Sequence, residues 1–332
     1  MAAGFKTATV RAADVPSTQT DFPSYVDLDR LGVTTLAEAQ SIRVYADEAK
    51  TVEWAREIVS ATEMHVKVPS LTSTVEIFVD WDGVRADYAV GATYGRNAVW
   101  SNGFGGVWHM GAGVLEDSTG QVMNSTTNTG TAVVGKLGNA TDYNGSQRTI
   151  IPNAASIDIS NELTYSMWTN ADSFGRALEK SDAFFFINFG GTGSLGPLVK
   201  PDNVVADIGS LSTGVWYNLV GRFSATDETL DAIRDGVVIG TTSFAGPLDT
   251  PGGDLYIGSD DGSSRYDGRI DEVRISSVKR SIQWLALEHT NQNAESTFWG
   301  TWTDVSTATT VTNIISIGNI VELNNISSII GA

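Results

Sequence analysis

The side chains that most often perform chemistry are few and widely spaced in this sequence. It contains three histidines and no cysteine, so neither thiolate chemistry nor disulfide bonds are available to it. His65, His109 and His289 lie far apart, and no His-Glu-x-x-His motif accompanies them. His109 follows Trp108 in a predicted strand, where packing is the expected role. Because a Gly-x-Ser-x-Gly elbow and a Walker loop are also missing, the sequence favours neither nucleophilic nor phosphoryl-transfer catalysis.

Carboxylates are abundant, but their spacing does not indicate glycoside hydrolysis. Such enzymes hold two carboxyl groups across a cleft, on either side of the scissile bond. Asp158 and Glu162 flank the start of one predicted strand without forming a closely spaced catalytic run. We therefore predict that the protein is not an enzyme. The open alternative is a carboxylate pair that the fold brings together from distant strands.

An acidic loop near residue 260 is the candidate ligand-binding segment. Asp260 and Asp261 lie in it, and Tyr266 lies at its end. Carboxylates accept hydrogen bonds from sugar hydroxyls, and a tyrosine ring can stack on the apolar face of a sugar. These three residues are therefore candidate glycan contacts. The alternative interpretation is a solvated turn that only joins two strands.

Charge and hydropathy limit the partners that the protein can have. The formal net charge is −18, which disfavours nucleic acid and anionic membrane surfaces, because both require clustered lysine and arginine. No run approaches the roughly 20 apolar residues of a membrane-spanning helix. The first residues show no secretory-signal pattern. A cysteine-free surface-type β-protein of this kind is typical of a virion component; the alternatives are a cytosolic β-protein or a chain from which a signal was removed.

Short strands separated by turn residues recur along the sequence and predict an all-β protein. Residues 74–81 alternate apolar and polar side chains with the period of two that is typical of a half-buried strand. Asp235-Gly236 lies between two apolar runs and predicts a hairpin turn. The 34 glycines and 8 prolines suit many short strands. Helical patterns are short and fall at residues 35–40 and 284–289.

The amino-acid composition changes twice along the sequence, which suggests three parts. We predict an antiparallel, jelly-roll-like β-sandwich at residues 1–103, a second β-sandwich at 104–292 and an extension at 293–332. Isoleucines dominate the last part, where the pattern of residues 314–330 predicts strands. Exposed apolar strands of this kind tend to pair with another segment or another chain. This extension is predicted to dock onto a neighbour or to mediate oligomerisation. The alternative is that it pairs with one of the two sandwiches.

The second half resembles laminin-G-like domains, which are concanavalin A-like sandwiches related to the pentraxins. The likeness spans about residues 105–292 and follows the order of the family. The segments that carry it are Val107-Trp108-His109-Met110, Glu116-Asp117-Ser118-Thr119-Gly120, Gly135-Lys136-Leu137-Gly138-Asn139-Ala140, Asp142-Tyr143-Asn144-Gly145, Ile151-Pro152-Asn153, residues 163–168, the strand at Trp216, Asp235-Gly236 and residues 268–275. Residues 15–23, 66–69 and the strand that ends at Trp81 resemble a β-domain of unknown function that often precedes this module in phage proteins.

The resemblance also implies a calcium site and a function. Asp117, in an early loop, and Asp271, in a late strand, can bracket a structural calcium ion in this family; otherwise Asp117 would cap a turn and Asp271 would pair with an arginine. We expect no other cofactor. The implied function is that of a non-enzymatic phage virion surface protein, either a capsid decoration, a fibre or a tail-associated protein. Its expected partners are other virion proteins, copies of itself and cell-surface glycans. The alternative is an extracellular carbohydrate-binding or adhesion module of a bacterium or archaeon.

Overall fold

A computed structural model of the chain describes residues 3–11, 15–181, 183–188, 195–250, 252–260 and 265–306. Strands dominate it, as predicted. In chain order the strands are β1 (Gly4–Thr9), β2 (Gln19–Asp27), β3 (Arg43–Tyr45), β4 (Glu53–Trp54), β5 (Arg56–Ile58), β6 (Glu63–Leu71), β7 (Glu76–Trp81), β8 (Phe104–Trp108), β9 (Thr127–Asn128), β10 (Thr131–Val134), β11 (Asn139–Asn144), β12 (Thr149–Ile151), β13 (Glu162–Ser173), β14 (Leu178–Lys180), β15 (Phe184–Asn188), β16 (Leu195–Val199), β17 (Val204–Val205), β18 (Trp216–Ser224), β19 (Thr229–Arg234), β20 (Val237–Ser243), β21 (Leu255–Ile257), β22 (Asp267–Ser276) and β23 (Thr303–Asp304).

Within the described residues, four α-helices interrupt the strands, and both predicted helical patterns are confirmed. The helices are α1 (Leu36–Gln40), α2 (Arg96–Val99), α3 (Ile282–Asn293) and α4 (Glu295–Phe298). Thr35 begins α1 with a capping box, because its side chain accepts from the amide of Glu38 while the Glu38 carboxylate accepts from the amide of Thr35. The Ser281 side chain caps α3 by accepting from the amide of Trp284. None of the helices in the described ranges is long and apolar enough to cross a membrane.

The first sandwich is built from a five-stranded sheet with the order β23-β1-β7-β3-β4 and a three-stranded sheet with the order β2-β6-β5. All their pairings are antiparallel. In β7, Ile77, Val79 and Trp81 lie in the core, in agreement with the predicted period of two. The core also includes Trp299 and Trp302, which follow the second sandwich in sequence. The last described strand, β23, pairs with β1.

The second sandwich consists of an eight-stranded and a seven-stranded antiparallel sheet. The first has the order β10-β11-β22-β13-β18-β19-β20, with β8 also paired to β22, and the second has the order β17-β16-β15-β14-β21-β12-β9. An apolar core fills the space between them. Strands β13 and β18 of the eight-stranded sheet are closely packed at Gly221, which is paired with Tyr165, and a Cβ there would lie 2.3 Å from Cζ of Tyr165. The predicted hairpin is confirmed, since β19 and β20 are joined at Asp235-Gly236.

Strand β22 occupies the centre of the eight-stranded sheet and changes partners along its length. Its first half pairs with β11, its second half pairs with β8, and β13 lies along its other side. The register with β13 shifts between the pairs Trp168–Asp271 and Ser166–Arg274. Glu272 lies inside this shift with φ 51°, so the irregularity is a β-bulge that contains a non-glycine residue in the left-handed region. The bulge places Asp271 and Glu272 on the outer side, since Ile270 and Val273 both belong to the core.

The segment predicted as a C-terminal extension is described only up to residue 306. Within it, α4 and β23 contact the first sandwich, and Phe298 is fully buried in that core. The isoleucine-rich residues 314–330 lie outside the described residues, so their predicted docking role stays a prediction. The proposed division at 103 and 292 also stays a prediction.

Candidate functional site

A buried polar cluster lies where the two sandwiches face each other. Alternation along β6 directs Met64 and Val66 into the first core and leaves Glu63 and His65 on the opposite face of the three-stranded sheet. That face meets the outer face of the eight-stranded sheet, where the bulge of β22 presents Glu272. The cluster is therefore assembled from both sandwiches.

Four side chains form the centre of this junction cluster, namely Glu63, His65, His109 and Glu272. His65 Nε2 lies 3.1 Å from Glu63 Oε1, and His109 Nδ1 is hydrogen-bonded to Glu272 Oε1. The two imidazole rings stack with centroids 4.7 Å apart and planes 22° from parallel. One ligand-type atom from each residue lies within 4.8 Å of the others, and no other group of three or more histidines and carboxylates with this spacing occurs in the described part of the chain.

The charges of Glu272 and His109 depend on each other. Burial on its own would raise the pKa of Glu272, but His109 and Arg274 outweigh it and hold that pKa well below its usual range. Burial on its own would lower the pKa of His109, but the carboxylates of Glu272 and Glu57 outweigh it and raise that pKa well above the ordinary value. At neutral pH the two residues therefore form a buried ion pair.

Glu63 and His65 respond to burial in the opposite way. Burial raises the pKa of the Glu63 carboxyl well above its usual range, and the neighbouring Glu272 adds to that rise. Burial lowers the pKa of His65 well below its ordinary value. Both shifts favour the uncharged forms of the two side chains. Nδ1 of His65 is buried and has no hydrogen-bond partner.

A second ring of side chains holds the central four in place. Glu57 lies 3.1 Å from Nε2 of His109 and accepts hydrogen bonds from Trp100 Nε1 at 2.5 Å and from Ser118 Oγ at 2.6 Å. On the other side, Arg274 donates from Nε to Glu272 Oε2 at 3.1 Å and from Nη1 to Glu288 of α3 at 2.5 Å. The orientation of the central side chains is consequently fixed by an acceptor, Glu57, next to His109 and by a donor, Arg274, next to Glu272.

Asp271, one of the two predicted calcium ligands, borders this cluster. Its Oδ2 accepts hydrogen bonds from the backbone amides of Lys136 and Leu137, both at 2.9 Å, so the turn between β10 and β11 caps it rather than an arginine. Its Oδ1 is buried and without a hydrogen-bond partner. Burial raises the pKa of Asp271 well above its usual range, with Glu272 as the next contribution.

Asp117, the other predicted calcium ligand, caps a turn. Its Oδ1 accepts from the amides of Val107 and Thr119 at 3.1 and 2.9 Å, and its Oδ2 accepts from the Thr119 hydroxyl and the Met123 amide at 2.7 and 3.1 Å. These bonds use both carboxylate oxygens for local structure, as the turn-capping alternative requires. A calcium ion between Asp117 and Asp271 stays a prediction.

The predicted glycan contacts are only partly brought together. The Tyr266 side chain is fully buried, and its hydroxyl is hydrogen-bonded to Thr169, so its ring offers no face to a sugar. Asp260 lies 4.0 Å from Arg176 at the edge of the seven-stranded sheet. Asp261 lies outside the described residues. The ligand role of the three residues stays a prediction that now depends on the two aspartates.

The outer face of the seven-stranded sheet is a second candidate region. Directly paired residues place their side chains on one face, and one row crosses the whole sheet. Its members are Thr127, Ile150, Tyr256, Glu179, Phe185, Leu198 and Val205. The guanidinium of Arg148 lies 5.9 Å from the centre of the half-buried Tyr256 ring, and that of Arg176 lies 4.8 Å from the Phe185 ring. We call this row and the two arginines the outer-face row.

Sequence reasoning missed most of the junction cluster. Glu57, Glu63 and Glu272 were not singled out, and His65 was considered only as one of three histidines far apart in sequence. Packing explains His109 only in part, because its ring stacks on His65 and also contacts glutamates. One signal was present in the sequence, since Glu63 and His65 alternate with apolar residues on a strand. Such a pattern also occurs in any half-exposed strand, so it does not reveal that a second sheet covers the polar face.

Residues 142–286 match the family model of the concanavalin A-like lectin/glucanases superfamily, in the laminin-G group. The second sandwich is therefore a domain of this superfamily, which confirms the predicted recognition and fold. The resemblance of the first sandwich to a β-domain of phage proteins stays a prediction. No curated protein matches the chain.

Among solved structures, the chain is similar to domain 4 of AbnA, a GH43 extracellular arabinanase from Geobacillus stearothermophilus, in complex with arabinotriose. The identity is 18%, the TM-score is 0.47, and the alignment covers 55% of this chain and 96% of that one. The chain is also similar to the binding domain of Paraclostridial Mosquitocidal Protein 1, with 14% identity and a TM-score of 0.46. That alignment covers 57% of this chain and 52% of the other, so the chain spans about half of that structure. A Trypanosoma rangeli sialidase is similar with 15% identity and a TM-score of 0.43, over 63% of this chain and 34% of the sialidase.

Proposed function

We propose that the protein is a non-enzymatic surface protein of a phage virion whose concanavalin A-like domain adsorbs weakly to host glycans. The observation that carries the proposal is the outer-face row. The first sandwich and α3 cover the other sheet, since Val220 and Ile233 of its outer face belong to the same buried cluster as Trp284 of α3. In the described part of the chain, the seven-stranded sheet is not covered in this way, but Glu179, Phe185 and Leu198 of its outer-face row are themselves buried. The part of the row offered to other molecules is therefore the half-buried Tyr256 with its neighbours Ile150 and Thr127.

The chemistry of the outer-face row suits sugars. Tyr256 contributes an aromatic ring, which can stack on the apolar face of a pyranose. Arg148 and Arg176 contribute planar donors, and Asp260 next to Arg176 contributes an acceptor. Of the two aromatic rings in the row, that of Phe185 is buried, so Tyr256 is left as the stacking ring. One ring with few charged groups favours weak binding at each copy. A virion displays many copies, and multivalency raises avidity by roughly 10²–10⁴ without new contacts.

Glycan arrays probed with bead-coupled protein test this surface. We expect Tyr256→Ala to abolish retention of the beads on the glycans that wild-type protein binds. Tyr217→Ala is the matched control, because Tyr217 is also half-buried and also has an arginine, Arg234, at 5.9 Å from its ring. Equal retention of both variants, or no retention of wild-type beads on any glycan, would rule out the outer-face row as a lectin surface.

Assembly contacts form the second half of the proposal, and the C-terminal residues supply them. A truncation must spare Phe298, Trp299 and Trp302, because all three are buried in the first core. We therefore compare the full chain with a chain that ends at Ser306, using light scattering. Loss of a defined oligomer in the shorter chain supports self-association through residues 307–332. Two equal monomers would remove self-association and leave docking onto another virion protein.

Two further measurements separate this proposal from its alternatives. Incubation with the polysaccharides bound on the array should release no reducing sugar; steady release would make the protein an enzyme. Antibody labelling of phage particles should place the protein on the virion surface. Labelling of the surface of a bacterial or archaeal cell instead would favour a cellular adhesion or carbohydrate-binding module.

A further inference from the structure

The junction cluster contains four side chains of the types that bind metal ions. It brings together two imidazoles and two carboxylates, and all four side chains are buried. The carboxylates of Glu57 and Asp271 lie next to them. Two imidazoles and two carboxylates are a donor set that zinc-type divalent cations take in proteins, and two carboxylates balance the charge of such an ion.

We propose that Glu63, His65, His109 and Glu272 form a structural binding site for a zinc-type divalent cation that ties the two sandwiches together. Nothing in the family match or in the proposed function requires such a site. It goes beyond that function, because it concerns how the two sandwiches are held together.

The spacing of the donor atoms fits a tetrahedral ion. Bonds of about 2.0–2.1 Å to a tetrahedral zinc ion place neighbouring ligand atoms roughly 3.3 Å apart. In the cluster, Glu63 Oε1 lies 3.1 Å from His65 Nε2 and 3.6 Å from His109 Nδ1. His65 Nε2 lies 3.9 Å from Glu272 Oε2. The donor atoms are therefore close enough for four-fold coordination, which also requires one of the two stacked imidazoles to rotate so that both ring planes contain the ion.

The mixed nitrogen and oxygen donors decide the class of ion. Calcium and magnesium take oxygen ligands almost exclusively. Imidazole suits zinc and neighbouring first-row metals, which also accept carboxylates. Two carboxylates neutralise the double charge of the ion. The remaining cation, Arg274, is compensated by Glu288 at 2.5 Å.

The surroundings of His109 have the form of a metal ligand's outer shell. A histidine that binds a metal through one ring nitrogen usually donates its other N–H to a carboxylate, which fixes the tautomer and the ring plane. His109 directs Nδ1 at Glu63 and Glu272, and its Nε2 lies 3.1 Å from Glu57. Glu57 is itself held by Trp100 and Ser118.

The position of the cluster indicates a structural rather than a catalytic ion. Four protein ligands fill a tetrahedral shell, whereas catalytic zinc sites keep one position open for water or substrate. Glu63 and His65 come from β6 of the first sandwich, and His109 and Glu272 come from the second. The ion therefore joins the two halves. A cavity of about 340 Å³ lined by Glu57, Glu63 and His109 provides a route for the ion to enter.

The first test measures metal binding by the full-length protein after removal of metals with a chelator. We expect one equivalent of Co²⁺ per chain to give the intense visible absorption of a tetrahedral site, and one equivalent of Zn²⁺ to displace it. Absence of stoichiometric Co²⁺ and Zn²⁺ binding would overturn the proposal.

Variants then assign the ligands. His65→Gln and His109→Gln should lose the tetrahedral Co²⁺ signal, whereas His289→Gln, which changes the histidine outside the cluster, should retain it. Glu57→Gln should weaken Zn²⁺ binding about 10–100-fold, the effect typical of an outer-shell carboxylate. Retention of the full signal by folded His65→Gln or His109→Gln protein would contradict the assignment.

A measurement on wild-type protein keeps the test valid if those variants do not fold. The sequence has only three histidines, so their ring nitrogens can be resolved by ¹⁵N NMR after imidazole labelling. Addition of one equivalent of Zn²⁺ should shift one ring nitrogen in each of two histidines and leave the third, His289, unchanged. A shift confined to His289, or no shift at all, would refute the site.

Discussion

The interior of the second sandwich and the junction cluster are both buried, but they are built from opposite kinds of side chain. Apolar residues such as Val220 and Ile233 surround this polar cluster at the junction. Phe184, Phe186 and Leu219 represent an interior in which the two sheets meet through apolar groups. At the junction, Glu63 and Glu272 lie among histidines and an arginine, with little exposure to solvent. One surface is held by hydrophobic burial, the other by hydrogen bonds and charge.

This difference determines how each region tolerates change. Hydrophobic attraction is not directional, so an apolar interior accepts substitutions that keep its volume. A buried polar network depends on every partner, because a charge left without compensation in a low dielectric costs several kcal/mol. The interior should therefore lose stability in proportion to the atoms removed. The junction cluster should lose stability whenever one charged partner is removed, and it should regain stability when the charge left behind is neutralised by a second substitution.

The largest expected effect follows from Arg274→Met. The change leaves Glu288 without its cation and Glu272 with His109 as its remaining positive partner, which should lower the free energy of unfolding by about 3–5 kcal/mol. Urea denaturation of metal-free protein measures it. The combined variant with Glu272→Gln and Glu288→Gln should recover most of the loss, since it removes the uncompensated charges together with the arginine.

Phe186→Ala in the apolar interior is the matched control for that rescue. It should cost a similar amount, about 3–5 kcal/mol, because it leaves a cavity in a fully buried site. No pair of neutralising changes should restore it. If Arg274→Met behaves in the same way, and its partner changes add further losses, the network is not charge-coupled and the comparison between the two regions fails.

The next effect in size comes from overpacking the interior. In Gly221→Ala the new methyl carbon would lie 2.3–2.6 Å from the ring and hydroxyl of Tyr165. The ring is buried and its hydroxyl is bonded to the Phe185 carbonyl at 3.0 Å, so it cannot move freely. We expect a loss of about 1–3 kcal/mol, measured by thermal unfolding. An unchanged melting temperature would mean that the Tyr165 ring can move aside without loss of stability.

A smaller effect is expected for Ile257→Val, which removes one methylene from the interior. Ile257 is fully buried, and such a deletion costs about 0.5–1.5 kcal/mol. Its loss should add to that of Arg274→Met in the double variant, because the two residues belong to different buried clusters and distant sites are additive. Strong non-additivity, observed by urea denaturation, would show that the interior and the junction are coupled.

The smallest effect concerns an ionisable pair in a more exposed place. Burial and a hydrogen bond of 2.6 Å to Glu53 raise the pKa of Tyr88 to about 12. A raised folded-state pKa stabilises the protein below the unfolded value and loses that contribution as pH rises through about 12. Glu53→Gln should move the pKa of Tyr88 towards its usual value. Ultraviolet titration, with Tyr88→Phe as the reference, measures the shift; an unchanged titration would show that Glu53 has no influence.

The β-architecture was already determined by the sequence. The period of two in residues 74–81 and the Asp235-Gly236 turn are local properties, because side-chain direction and turn geometry depend on neighbours along the chain. The resemblance of the second half was also readable, and the match of residues 142–286 confirms it. Turn capping by Asp117 follows in the same way, since its partners lie within about ten residues.

The junction cluster was decided by the tertiary structure alone. Glu63 and Glu272 are 209 residues apart by their numbers, and their approach depends on how two sheets face each other. The bulge at Glu272, which turns a carboxylate towards His109, arises from a register shift against β13. Tyr266 illustrates the same limit, because only the packing of two sheets buries a ring that its loop sequence made a candidate for sugars. Local patterns specify which face of a strand is polar, but what covers that face depends on contacts between distant parts of the chain.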